Sequence, residues 1–200
     1  MQSIRTERLR LRSWRLSDVP SYAEGCNTPA VMRWLGGVQS LAAVAREVRY
    51  FIKAEERDGF TFWALELARS KTLLGFCGLL VIRERHCPMR GQIEIGWRIR
   101  EPAWRQGFAF EAASAVLEHG FNRLSIAGIV SRAAIGNVAS RQLMNKLGMK
   151  RQRDFDYVPH GETRKLAAYA ITASGGPQPL KLRMLKGKCR LGAQPGRPPG

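Results

Sequence analysis

Between residues 92 and 100, polar and apolar side chains alternate without a break. Ile93, Ile95, Trp97 and Ile99 fall on one side, and Gln92, Glu94, Gly96, Arg98 and Arg100 on the other. A period of two predicts a strand with one packed face. After a turn at Glu101-Pro102 the period lengthens. Ala109, Ala112, Ala113, Val116, Leu117 and Phe121 form one stripe, which predicts a helix. The same two periods recur along the chain. Leu9 and Leu11 alternate with arginines in an opening strand, and Ser17-Asp18 signals a helix start. Pro29 opens a short helix that closes at Gly36-Gly37, and residues 41–56 form a one-faced helix through Leu41, Val44, Val48, Phe51 and Ile52. Phe60–Leu67 and Leu73–Ile82 read as a strand pair joined by a polar turn. Ile126–Val130 is a short strand, Asn137–Leu147 a helix stopped by Gly148, and Lys165–Ile171 a last strand.

After Thr172 the periodicity ends. Residues 173–200 are rich in Pro, Gly, Lys and Arg, so the expected organisation is one domain over 1–172 and a basic, disordered tail over 173–200. A chain of 200 residues, 44% hydrophobic and 24% charged, suits one globular domain with a full core. The longest apolar run, Leu73–Ile82, holds two glycines and is far short of the roughly 20 residues of a spanning helix. No apolar leader follows Met1, so a cytoplasmic location with no membrane association is expected. Cys26, Cys77, Cys87 and Cys189 are scattered without metal-ligand spacing, which predicts reduced packing cysteines and no metal. The net charge of +17 is only partly due to the six cations of the tail. A basic body fits a polyphosphate ligand, an acidic acceptor or proximity to nucleic acid, without choosing among them.

The richest segment is the junction of strand and helix at 99–110. A helix start carries unpaired N–H groups and a partial positive charge, and Gly107 lets an anion approach the backbone. The loop lacks the Gly-Lys-Ser/Thr ending of a nucleotide triphosphatase and the three glycines of a dinucleotide fingerprint, which argues against ATP and NAD.

Glu94-Ile95-Gly96-Trp97-Arg98-Ile99 and Trp104-Arg105-Gln106-Gly107-Phe108-Ala109-Phe110-Glu111-Ala112 resemble two motifs of the GNAT superfamily of N-acetyltransferases. Asn137-Val138-Ala139-Ser140, Lys146-Leu147-Gly148-Met149 and the opening Arg5-Thr6-Glu7-Arg8-Leu9-Arg10-Leu11-Arg12 are similar to its RimJ/RimL branch. The resemblance covers roughly residues 4 to 172, with the motifs in the family order. It implies an α/β (α+β) domain of the acyl-CoA N-acyltransferase fold. That fold has a mixed, mostly antiparallel central sheet flanked by helices, with a central parallel pair forming the cleft. Acetyl-CoA is then the implied cosubstrate, with backbone groups of Arg98 and Ile99 on the pantetheine arm. Amides of Arg105, Gln106, Gly107, Phe108, Ala109 and Phe110 would hold the pyrophosphate, and Asn137 and Ser140 would line the thioester end. Arg141 or Lys146 would meet the outer phosphate. Arg105 stands where the family usually has glycine, and Met144 where many relatives have a tyrosine acid.

Acetyl transfer to an amine needs a base for the ammonium proton and a donor for the departing thiolate. Glu94 is the candidate base, against the alternative that it faces solvent or pairs with Arg98. Ser140 is the candidate donor or thiol-orienting group, with Tyr157 as a second donor. A strand amide near Ile99 would polarise the carbonyl. Trp14, Trp34, Trp63 and Trp97 are candidates for either core or acceptor cleft. His119 is expected to be exposed, and His160 to lie in a loop by the acceptor. The expected activity is direct acetyl transfer to a primary amine, either a protein N-terminus or a small amine. The alternative is a non-catalytic basic protein that binds nucleic acid or the ribosome on the same scaffold. Weak association with nucleic acid or the ribosome, and homodimerisation, are left open.

Overall fold

The computed structural model describes residues 3–173, so the tail assignment lies outside the described residues except for Ala173. Eight strands, β1 (Ile4–Arg5), β2 (Leu9–Arg12), β3 (Phe62–Leu67), β4 (Leu73–Val81), β5 (Ile93–Ile99), β6 (Gly128–Ala134), β7 (Lys150–Arg151) and β8 (Leu166–Thr172), form one sheet in the order β1-β2-β3-β4-β5-β6-β8-β7. Every pairing is antiparallel except β5 with β6. The helices are α1 (Val19–Cys26), α2 (Pro29–Met32), α3 (Leu41–Asp58), α4 (Phe108–Asn122) and α5 (Val138–Lys146).

The two faces of the sheet bury different sets of side chains. The apolar stripe of α4, through Ala112, Ala113, Val116 and Leu117, packs with Leu79, Ile95, Ile99 and Ile129. On the opposite face, α1 and α3 bring Tyr22, Val44, Val48 and Phe51 onto Phe76 and Leu80. A third cluster, Ile82, Cys87, Met89, Val130, Ala168 and Ala170, covers the far half of the sheet. The alternation along β5 therefore separates one core from a second, polar-lined side. Ser40 caps α3 by accepting the Ala43 N–H, and Gly59, left-handed at φ 78°, ends it.

Several details differ from the sequence reading. The strand expected at 126–130 runs over Gly128–Ala134, because Ile126 is bonded back to Gly120 O after a left-handed Ser125. The two-residue strands β1 and β7 are too short and polar to show a period. Asp18 does stand at the start of α1, but its carboxylate caps nothing there. It accepts from Arg12 and from the Arg15 N–H instead.

Strands β5 and β6 are in register only at Glu94↔Val130 and part beyond it. On its other edge β5 is paired with β4 along its whole length, from Val81↔Ile93 to Gly75↔Ile99.

Candidate active site

The parting of β5 from β6 leaves peptide groups of β5 facing a cleft, and the register says which. Arg100 N–H donates to Leu74 O on β4, so Arg98, two residues earlier, also turns its peptide groups toward β4. Ile95 and Ile99 point the other way. Ile95 O accepts from Ser131 Oγ of β6 at 2.9 Å, and Ile99 O accepts the Trp104 indole N–H at 2.6 Å. The backbone groups on the cleft side are therefore those of Trp97 and Ile99. Arg98 is a correction to the sequence reading. Its N–H and C=O belong to the β4 ladder, and its guanidinium lies on the α1/α3 side, bonded to Glu47 at 2.8 and 3.0 Å and to Tyr22 OH at 2.7 Å.

Just past β5 the chain makes a single 3-10 turn (Glu101–Ala103) and enters α4 through two left-handed residues, Arg105 (φ 60°) and Gly107 (φ 82°). A side chain at Gly107 would meet only Arg8 Nη2, at 3.4 Å, so glycine is there for its backbone freedom and the open space above it. No side chain caps α4, and its first amide bond runs from Glu111 N–H to Gly107 O. The N–H groups of Gly107, Phe108, Ala109 and Phe110 thus stand at the positive end of a 15-residue helix without an intrahelical acceptor. Gln106 steadies the loop through Nε2 to Pro102 O. From α5, Lys146 Nζ lies 4.4 Å over the Phe110 ring, beside this helix start. Arg141 is engaged elsewhere, with Ile135 O and Tyr169 OH.

Asn137 and Ser140 stand at the start of α5, directly after β6. Asn137 Oδ1 accepts the Ser140 N–H at 3.2 Å, which caps the helix. The Asn137 amide nitrogen and the half-buried Ser140 hydroxyl take no partner among the described residues. Met144 is 1% exposed in the core beneath them, so that position supplies packing and no proton.

Glu94 lies on the opposite side of the sheet from α4. It neither faces solvent nor pairs with Arg98. Its Oε1 accepts from Arg132 Nε of β6 at 2.9 Å, and the side chain is 14% exposed. Burial pushes its carboxyl above the usual carboxylate range, and Arg132 only partly offsets this. Arg132 is a hub that sequence reasoning missed, since an arginine in a strand carries no signal of its partner. Its Nη1 bonds Glu84 Oε2 at 2.5 Å, Tyr157 OH and, at 3.5 Å, Cys87 Sγ. Tyr157 is thus tied to this network, and burial, with the Cys87 thiol next, raises its phenol well above the ordinary value.

Four inter-element loops carry the remaining candidates. The Trp34 ring lies over Gly136, where a Cβ would fall 2.6 Å from Cη2, and the His86 and His160 rings stack at 5.4 Å. Trp14 and Trp63 are buried in the two cores and Trp97 packs against one of them, so of these four tryptophans only Trp34 stands outside the cores, beside Gly136 and the start of α5. His119 is half-buried with its ring edge-on to Trp63, rather than exposed. Burial pushes the Cys26 thiol up to about 12 and raises that of Cys77 as well, as fits packing cysteines.

A sheet that parts at its single parallel pair, next to the bare start of a long helix, defines the acyl-CoA N-acyltransferase fold and an acyltransferase as its class. Residues 8–150 match the family model of the acetyltransferase (GNAT) domain, and the chain belongs to that family. It is 26% identical to the uncharacterized N-acetyltransferase YoaA of Bacillus subtilis (strain 168) over 151 residues, which are 74% of this chain and 83% of that one. A GNAT-family acetyltransferase from Bacillus anthracis superposes with a TM-score of 0.73 at 25% identity, covering 86% of this chain and 99% of that chain. RimL, the ribosomal L7/L12 alpha-N-protein acetyltransferase in complex with coenzyme A, shares the fold at a TM-score of 0.70 and 17% identity, covering 88% and 100%.

Proposed function

We propose that the protein transfers an acetyl group from acetyl-CoA to a primary amine by direct attack, and that the acceptor is a protein N-terminus, as in the RimJ/RimL branch. The observation that carries this reading is the alignment of two sets of free backbone groups on one cleft. The peptide groups of Trp97 and Ile99 line its edge, and the bare N–H groups of 107–110 stand at its end. An extended amide-bearing arm followed by a pyrophosphate fits that pairing, and the described residues offer these groups nothing else except the Trp104 indole.

In the reaction the amine nitrogen bonds the thioester carbonyl carbon, the C–S bond breaks, and sulfur leaves as thiolate. Glu94, with Oε2 free of partners among the described residues, takes the ammonium proton directly or through water. An N–H of β5 near Ile99 polarises the carbonyl. The Ser140 hydroxyl orients or protonates the thiolate, since Met144 has no proton to give. Donor and acceptor approach from opposite faces of the sheet, the donor from the α4 side and the amine from the α1/α3 side. The RimL neighbour acts on a ribosomal protein, which supports a polypeptide acceptor here.

Calorimetry with acetyl-CoA tests the donor half: saturable binding to the wild type and its loss in Gly107→Glu are expected, and absence of binding to the wild type would sink the reading. Thiol release measured with N-terminal peptides, polyamines and aminoglycosides tests the acceptor half, with turnover expected on peptides.

A further inference from the structure

Glu111 sits in the first turn of α4, four residues past Gly107, where a carboxylate would oppose any anion held at the helix start. The structure turns it away and neutralises it. Glu111 Oε1 accepts from Thr6 Oγ1 at 2.5 Å and from the Arg8 N–H at 3.0 Å, and Oε2 accepts from Arg8 Nε at 2.7 Å and Nη2 at 2.6 Å. Burial alone would raise this carboxyl, but the Thr6 hydroxyl, the Arg8 amide and the Arg8 guanidinium outweigh burial and keep it below the usual range, so it is fully ionised at neutral pH. Arg8 also reaches the loop itself. Its Nη1 donates to Gln106 O at 3.0 Å, and its guanidinium lies 4.6 Å over the Phe108 ring. One residue of the β1–β2 turn therefore holds both the peptide before Gly107 and the one acidic group of the α4 first turn.

We infer that Arg8 is a positioning residue for the pyrophosphate of the donor, acting by neutralising Glu111 and fixing the Gln106-Gly107 peptide. The inference rests on the acetyl-CoA reading. Left bare, Glu111 would compete with the ligand for the positive end of α4. A purely structural brace behaves differently. It would weaken the whole domain and would fail further when its second partner was also removed.

The experiment compares two acetyl donors, acetyl-CoA and acetylpantetheine, which lacks the pyrophosphate, on wild type, Arg8→Ala, Glu111→Gln and the double variant. Arg8→Ala is expected to raise the KM for acetyl-CoA on the order of tenfold, with kcat nearly unchanged and kcat/KM for acetylpantetheine unaffected. Adding Glu111→Gln is expected to recover most of that loss, because it removes the uncompensated charge. Equal losses with both donors, or a double variant worse than Arg8→Ala, would assign the pair a structural role and overturn the proposal. An unchanged KM in Arg8→Ala would do the same. If the wild type binds no acetyl-CoA, the donor reading itself fails; if it binds and Arg8→Ala binds equally, only this inference does. Glu111→Gln alone keeps the proposal testable should Arg8→Ala fold poorly, since it is expected to lower the KM for acetyl-CoA or leave it unchanged, and a raised KM would contradict charge competition.

Discussion

At the scale of single residues, Glu94 shows how a side chain acquires its properties from partners distant in sequence. Alternation put it on the polar side of β5, yet its burial and its bond to Arg132 come from β6, 38 residues later. A base works as carboxylate, so turnover should fall as pH drops through a pKa held above the ordinary glutamate value. The linkage to stability runs the opposite way. The folded protein holds this proton more tightly than the unfolded chain, so the group's contribution to stability declines as pH rises through that raised pKa. Glu94→Gln is expected to lower kcat about 100-fold or more and to flatten the acidic limb of the rate profile. Full turnover in that variant would remove Glu94 as base. Gly107 was legible because a left-handed residue before a helix leaves a local mark, whereas Arg132, Glu84 and Glu47 were not, because ion-pair partners leave none. The choice of Trp97 over Arg98 on the cleft edge needed the β4–β5 register, which alternation alone does not contain.

At the scale of elements, α5 and the β7–β8 connection are each fixed by a local device. Asn137 serves as helix cap and as candidate cleft residue, and two substitutions separate these roles. Asn137→Ala should cost about 1 kcal/mol of stability through the lost cap. Asn137→Asp keeps a capping oxygen and should hold Tm near the wild type while its charge lowers turnover; retained activity in both variants would confine Asn137 to capping. Between β7 and β8, Asp156 is bonded by Arg151 Nη2 at 2.5 Å and by the Ala168 N–H at 3.1 Å, which ties the segment bearing Tyr157 to the sheet. Arg151 first, and the Ala168 N–H with it, hold the Asp156 carboxyl below the usual range despite its burial. Its stabilisation is therefore fully present above the ordinary aspartate pKa and disappears as pH falls through the lowered one. Asp156→Asn should melt a few degrees below the wild type at neutral pH, with the gap closing in acid. A gap independent of pH would mean that the ion pair is not its source. Such strand-and-helix periods were readable along most of the chain, while β1 and β7, at two residues each, were too short to carry one.

At the scale of the whole molecule, the proposed donor and acceptor sides fall on opposite faces of one sheet, next to the place where β5 and β6 part. β8 pairs with β6 along seven residue pairs, ending at Thr172, and the family match spans 8–150. We propose that the six cations of residues 173–200 take no part in the transfer itself. They raise the positive field of the molecule and would strengthen attraction to acidic partners in a salt-dependent way. Deleting 173–200 is expected to leave Tm, acetyl-CoA affinity and kcat unchanged with an uncharged-side-chain peptide as acceptor. Any effect should appear instead as weaker, less salt-sensitive KM values for acidic acceptors. A loss of kcat with every acceptor would show that the segment contributes to the cleft, and would move the domain boundary beyond residue 172.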